Sequence, residues 1–470
     1  MRVDAAVLLW GLAWLLVAAV VVPYVAAFRR RLRQDRERQE EAVALCIDRP
    51  VAQYPFVDAT RCIGCGACVR ACPEGDVLGV VGGTAVVING LRCVGHGRCE
   101  AACPVGAIEV GLGDLRGRAD VPRLDARGET TVPGIFVVGE LGGLALVRNA
   151  LAQGRGVVAA VAERRLGRSP PDGFDLVVAG AGPSGLATAL AAQVAGLSCV
   201  VVEREPSLGG SLLHYPRRKM VLTQPVELPP WGALDREEYA KEELLELLER
   251  MVADRGLHVR YGEALLGAER TAGERLLVRT SAGGLDAGAL VLALGRRGAP
   301  RKLGIPGEEL PKVMYRLLDA EGYTGQHLLV VGGGDSAAEA AIGLARQRGN
   351  VVTLSYRREK LVRLKRKNQE ALEPLLASGA VRARFGSRAV AIRPGEVVLR
   401  LADGGEEVLR NDYVFVFAGG EPPFPLLAAM GVVMGGDAAG VAAQVAPSPE
   451  RARGPLPTPS GGSSESTKSR

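Results

Sequence analysis

The chain has 470 residues, length for two to four domains with full cores at roughly 100–200 residues per domain, so disorder of the whole chain is excluded. Hydrophobic residues make up 47% and charged ones 23%, a globular balance, and a net charge of +6 gives no argument for nucleic acid as a partner. Nine cysteines, seven of them between Cys62 and Cys103, are too clustered for a disulfide-stapled secreted scaffold and point to a metal site in a reducing compartment.

The first predicted element is an apolar helix. Ala5 to Phe28 is a run of 24 uncharged residues, about 36 Å as a helix against roughly 30 Å of hydrocarbon, which predicts one transmembrane span over 5–28. Arg29, Arg30, Arg31 and Arg33 follow it while only Arg2 precedes it. That bias predicts a single-pass protein of the inner (cytoplasmic) membrane, N-terminus outside and remaining domains in the cytoplasm. A cleaved signal peptide would carry its basic residues before the apolar run, not after it. Residues 29–50 are predicted as a charged juxtamembrane linker, with helical habit from Arg29 to about Glu41, a solvated spacer or stalk with contact to anionic headgroups as the alternative, and Cys46 an idle thiol. At the far end, residues 438–470 are rich in Ala, Pro, Ser and Gly and are predicted to be a disordered tail.

Residues 51–115 carry the strongest signal. Cys62, Cys65, Cys68 and Cys72, followed by Pro73, form the C-x2-C-x2-C-x3-C-P run of bacterial iron–sulfur proteins. Gly64 and Gly66 let the backbone curl round a cluster corner. A second set repeats the spacing at Cys93, His96, Cys99 and Cys103, with His96 where the second cysteine would stand. An imidazole can ligate iron, is neutral where a thiolate is anionic, and should raise the potential of its cluster; the alternative is a bystander histidine beside a three-iron cluster. Zinc is the competing metal. Residues 54–112 resemble a two-cluster 4Fe-4S bacterial ferredoxin. The resemblance implies crossed ligation: Cys62, Cys65, Cys68 and Cys103 for one cluster, and Cys93, His96, Cys99 and Cys72 for the other.

Next, Phe174 to Ala179 is an apolar strand that turns through Gly180, Gly182 and Gly185 into a helix, and the following strand, which contains the core residue Cys199, ends at Glu203. The glycines admit a pyrophosphate to the helix N-terminus and the carboxylate accepts from a ribose hydroxyl. The continuation to Gly209 and Gly210 resembles the FAD-binding sequence of two-dinucleotide flavoproteins. A second fingerprint runs through Gly332, Gly334 and Ala337, but its next strand ends in Arg357 and Arg358 rather than an acid. Two guanidiniums can clamp a 2′-phosphate, so NADPH is expected over NADH; a solvated basic turn is the bland alternative.

The two fingerprints, with Leu290 to Gly295 between them, resemble thioredoxin-reductase-like pyridine nucleotide flavoproteins over residues 172–436. The resemblance implies an α/β fold of two Rossmann-like domains, FAD in 172–310 and NAD(P)H in 311–412, with a return to the FAD domain over 413–437. Two departures stand out. No cysteine follows Cys199, so an intrinsic redox dithiol is excluded. The family's closing strand, Gly-Asp pair and helix are missing from the C-terminal end, yet Thr131 to Gly139 and Glu140, followed by a helical stretch from Leu144, has that pattern upstream of the first fingerprint. Residues 116–168 are therefore expected to be a permuted strand–helix piece of the FAD domain, with Glu140 in the role of the Asp; an unrelated linker is the alternative.

Together these features predict an α/β enzyme with a small α+β ferredoxin-like domain and one transmembrane helix. It would pass electrons from NADPH through FAD to two 4Fe-4S clusters and on to a redox acceptor protein or quinone at the membrane. No side chain is expected to act as acid, base or nucleophile, since the flavin carries the chemistry. The architecture also resembles the small subunit of glutamate synthase. Reverse flow onto NADP and a non-turnover redox sensor are the alternatives, and a homodimer is compatible with the sequence.

Overall fold

The computed structural model describes residues 5–45, 47–48, 53–112, 121–143, 147–164, 173–223, 225–271, 275–296 and 298–435. Cys46 and the tail 438–470 lie outside the described residues.

The first Rossmann unit is built on a seven-stranded sheet. Its parallel part runs Val259–Tyr261, Cys199–Glu203, Phe174–Ala179 and then the ten-residue strand Gly283–Leu292. The last is long enough to serve two partners on its far edge. Its first half pairs antiparallel with Leu276–Thr280, and its second half pairs parallel with Ile135–Val137, Leu290 opposite Ile135 and Leu292 opposite Val137. Ile135, Phe136, Val137 and Val138 are all buried, the unbroken apolar run of a strand covered on both faces. The helix Val147–Arg164 then lies along the fingerprint helix Pro183–Val194, with Leu151, Val157, Val158 and Val161 in the same core as Leu186 and Leu190. Gly154 permits the close approach, for a Cβ there would stand 2.6 Å from Thr188 Oγ1. The chain's two separated pieces also meet edge to edge. Arg123 donates to the Val433 carbonyl and Gly435 to that of Val121, each at 2.9 Å.

The second Rossmann unit is a five-stranded parallel sheet in the order Val313–Met314, Tyr413–Val416, His327–Val331, Val351–Tyr356, Val381–Phe385, with the helices Asp335–Ala345 and Arg366–Ala377. This corrects the expectation that the return to the first unit starts at 413. Tyr413–Val416 pairs with His327–Val331, because Val414, Phe415 and Val416 are buried in that sheet. The crossing follows at Gly420–Glu421, which pairs with Ala299–Pro300 as a two-strand hinge.

The cysteine-rich segment is two antiparallel pairs, Gln53–Val57 with Ile108–Leu112 and Leu78–Val81 with Thr84–Val87, and two short helices, Ala67–Ala71 and Arg98–Ala101. Before it stands one unbroken helix, Ala5–Ala44, long and apolar enough by composition to cross a membrane. Trp10, Trp14, Leu16, Val20 and Phe28 all stand exposed on it.

The expectation of a solvated linker over 29–50 is corrected as well. The charged half of this helix is docked. Asp35 Oδ2 accepts from Val80 N at 2.9 Å, Arg38 and Arg92 share Asp76, and Glu41 pairs with Lys360 at 2.7 Å. Ala42 and Ile47 pack on Ile88 and Val362. The first acid after the arginine run supplies the acceptor that an edge-strand amide needs.

Candidate functional site

At the C-terminal ends of the first sheet's parallel strands, Gly180, Gly182, Gly185, Glu203, Gly209, Gly210 and Gly139 come together. Each glycine has its own reason. Gly180 has φ +110°, and a Cβ on it would stand 2.5 Å from the Ala293 carbonyl oxygen. A Cβ on Gly185 would run into the carbonyl of Gly180, so the helix closes on its strand only without one. Gly182 differs, since a Cβ there would meet only Gly210 Cα, at 3.9 Å. Its space is open, the cradle a pyrophosphate needs at a helix N-terminus. Glu203 is buried, accepting from Ala181 N at 2.7 Å and Glu205 N at 3.0 Å, which aims its carboxylate at the fingerprint turn.

The strand Ile135–Val137 delivers Gly139 into the same turn, where a Cβ on it would stand 2.8 Å from Ser184 Oγ. Gly139 N donates to the buried Gln153 Oε1 at 2.7 Å, and Glu140 beside it is exposed. Gln153 is a positioning residue that the sequence did not signal, being one amide on a helix whose partner depends on the fold. The cradle fits a dinucleotide.

In the second unit Gly332, with φ +147°, faces the Phe417 carbonyl and the Cβ of buried Ala337, while a Cβ on Gly334 would meet nothing within 4 Å. Asp335 Oδ1 accepts from Lys365 N at 2.9 Å and Asn368 Nδ2 at 2.7 Å, which ties the fingerprint helix to the basic loop that follows Val351–Tyr356. Arg357 and Arg358 are exposed at the end of that strand, and neither side chain has an ion-pair partner among the described residues. Replacing both by Gln should raise KM for NADPH by roughly a hundredfold or more, two charge-assisted contacts being worth ~1.5–3 kcal/mol each, and leave KM for NADH nearly unchanged. Steady-state kinetics with both nucleotides checks this, and a wild type that prefers NADH would refute the reading of the turn.

In the cysteine-rich segment, Cys68 and Cys99 are buried in one core against which Cys62, Cys72, Cys93 and Cys103 pack, while Cys65 is exposed. The two motifs repeat in backbone as well as in sequence. Gly64 and Gly66 have φ +64° and +67°, and Gly95 and Gly97 have +74° and +79°, so the turn around His96 copies the turn around Cys65. A cavity is lined by Cys72, Cys93, His96 and Cys99, together with Val77 and Leu78. Burial pushes the Cys99 thiol up to about 12 and Cys93 up to about 11, with the neighbouring cysteine charges adding to both. Burial also lowers His96 to about 4, helped by Arg98 and Lys365, so its imidazole is neutral, the form that binds metal. Thiols this costly to ionise unaided suit a site where metal takes the protons' place. Three thiols and one imidazole round the pocket form a donor set that fits an iron–sulfur cluster.

Two glycine cradles facing two nucleotide sites, beside a cysteine-lined core, define a two-nucleotide oxidoreductase with an iron–sulfur segment. The chain belongs to the pyridine nucleotide-disulphide oxidoreductase family, whose profile matches residues 177–443, and a 4Fe-4S dicluster domain profile matches residues 54–104. It is a flavin-dependent oxidoreductase. It is similar to the ferredoxin–NADP reductase of Ignicoccus hospitalis, 31% identical over 53% of this chain and 78% of that one. It is also similar to the bacilliredoxin reductase of Bacillus subtilis, 25% identical over 54% of this chain and 80% of that one. Among solved structures, the bacillithiol disulfide reductase from Staphylococcus aureus superposes with a TM-score of 0.51 at 22% identity, over 55% of this chain and 80% of that one, a likeness of fold. The matched family segment begins after the strand Ile135–Val137 and the helix Val147–Arg164, although both pack into its first Rossmann unit.

Proposed function

We propose that this chain is a membrane-anchored reductase that takes electrons from NADPH, through FAD, into two 4Fe-4S clusters and on to a membrane-associated acceptor. The observation that carries the reading is the distribution of thiols. Every cysteine after Cys103 except the strand residue Cys199 is missing, so the dithiol outlet is gone, and the remaining redox-capable thiols are concentrated in the segment packed beside the nucleotide units. FAD, when bound, supplies the exchange between a hydride and single electrons. Gly180, Gly182, Gly185, Gly209 and Gly210 would cradle its pyrophosphate, Glu203 its ribose, and Gly139 with Glu140 its ribityl side, which makes residues 121–164 a permuted part of the FAD unit. Gly332, Gly334 and Ala337 would receive NADPH, with Arg357 and Arg358 at its 2′-phosphate. Cys62, Cys65, Cys68 and Cys103 would hold one cluster and Cys72, Cys93, His96 and Cys99 the other. The exposed apolar side chains from Trp10 to Phe28 support a single span of the cytoplasmic membrane, with the domains on the cytoplasmic side.

The test is Cys62→Ser in native membranes. NADPH should reduce a membrane carrier with the wild type, and the variant should lose this while NADPH still bleaches the flavin. Membrane reduction that persists without the cluster would refute the route.

A further inference from the structure

We infer that the two cysteine sets are stations in a fixed order, the set Cys72, Cys93, His96 and Cys99 being the entry from the nucleotide units and the set Cys62, Cys65 and Cys68 the exit, held by the N-terminal helix at the bilayer surface for a lipid-soluble quinone. This rests on the anchored, cluster-bearing reading above and adds the direction within it.

The entry side is fixed by the residues that flank its ligands. Cys99 stands on the helix Arg98–Ala101, and the residue before it reaches the first Rossmann unit, Arg98 pairing with Glu237. His96 Nε2 lies 3.9 Å from Glu74 Oε1, and Glu74 Oε1 lies 3.6 Å from Lys365 Nζ. The backbone of Lys365 in turn holds Asp335 at the start of the second fingerprint helix. Arg92, immediately before Cys93, donates to Gln369 on the helix Arg366–Ala377 at 2.5 Å. This set therefore touches both nucleotide units.

The exit side leans on the hairpin whose first residue, Leu78, also lines the pocket of the entry set. Cys62 Sγ accepts from Ala85 N at 3.4 Å, Gly64 stands against the Gly83 carbonyl, and Gly66 faces Val80. All three partners belong to the hairpin formed by Leu78–Val81 and Thr84–Val87. That hairpin is what the N-terminal helix grips, through Asp35 on Val80 N and through a hollow lined by Leu32, Arg33, Arg36, Val81 and Gly82. Leu32 and Asp35 are four and seven residues past Phe28, about 6 and 10 Å along a helix. With the apolar segment in a bilayer, the hairpin and the cysteine loop against it stand level with the headgroups. Ile63 and Cys65 are exposed on this loop, with Cys68 behind them as buried as Cys99 and His96 are in the other set. The balance is simple: NADPH, a quinone and one solvent proton give NADP+ and quinol, with the two electrons of the hydride crossing the stations one at a time.

The test uses the full-length protein in vesicles with and without nickel-chelating lipid, reduced by NADPH and followed by EPR. His96→Cys identifies the entry cluster as the one whose signal and potential it changes. Paramagnetic lipid should speed relaxation of the other cluster several-fold and leave the His96-dependent signal nearly unaffected. Asp35→Ala, which frees the hairpin from the helix, should reduce that enhancement while leaving both clusters loaded. Equal enhancement, or a greater effect on the His96-dependent signal, overturns the order even though the protein is anchored. If the protein does not sediment with vesicles at all, the anchored reading itself fails and the exit falls with it. If His96→Cys lowers cluster content, the higher-potential signal of the wild type identifies the entry cluster for the same measurement.

Discussion

A chain that begins at residue 173 should fail to form the flavin-binding unit, whereas one that begins at residue 121 should keep it. Between 121 and 164 lie Val121, Leu124, Ile135, Phe136, Val137, Val138, Leu141, Leu151, Val157, Val158 and Val161, each at most 4% exposed and most of them in the two cores of the first Rossmann sheet. At ~1.5–3 kcal/mol for each buried side chain their loss exceeds the ~5–15 kcal/mol that holds a whole domain folded. The second half of Gly283–Leu292 would also lose its partner and expose a sheet edge. The stronger arm of the experiment is rescue. Because Gly435 already bonds to Val121 and Arg123 to Val433, a short turn can join 435 to 121 and move the segment behind the second unit. That rearranged chain, 173–435 followed by 121–164, should regain flavin absorbance and a cooperative melt. A 173–435 chain that binds FAD as tightly as the full protein would show that 121–164 is an accessory and not part of the unit.

What the sequence made legible is what it encodes locally. A strand, three glycines and a helix occupy one stretch, so Gly180, Gly182 and Gly185 are visible as a unit, and the paired spacing of Cys62 to Cys72 and Cys93 to Cys103 marks candidate ligands before any fold is known. The displaced Gly139 was visible for the same reason. Partners far apart in sequence were not. Asp35 and Val80 are 45 residues apart, Arg92 and Gln369 are 277 apart, and nothing in either neighbourhood names the other. The charged stretch after Phe28 therefore looked like a solvated linker, because solvation and docking use the same residue types. The boundary near Tyr413 is hidden on similar grounds. An apolar run states that a strand is buried but not in which of two adjacent sheets, and the choice is made by the register with His327–Val331.

Three single glycine substitutions should separate what the backbone needs from what the cofactors need, and the differences should be large. Gly185→Ala drives a Cβ into the Gly180 carbonyl, between a helix and a strand that cannot part without opening the core around Leu186 and Val178. Overpacking of this kind costs ~1–3 kcal/mol or more, and the variant should melt several degrees lower and lose flavin together with stability. Gly182→Ala meets no atom closer than Gly210 Cα at 3.9 Å, and its backbone at φ −77° is open to any residue. It should melt without flavin as the wild type does without flavin, yet take up FAD far more weakly, since the new methyl occupies the approach that the pyrophosphate requires. Gly334→Ala, with nothing within 4 Å of the added carbon, should keep both fold and flavin and raise KM for NADPH alone. Calorimetry of the flavin-stripped proteins, flavin titration and NADPH kinetics read the three effects independently. If Gly182→Ala destabilised the stripped protein as much as Gly185→Ala does, the open space at Gly182 would be a packing feature, and the first fingerprint would lose its claim to the dinucleotide.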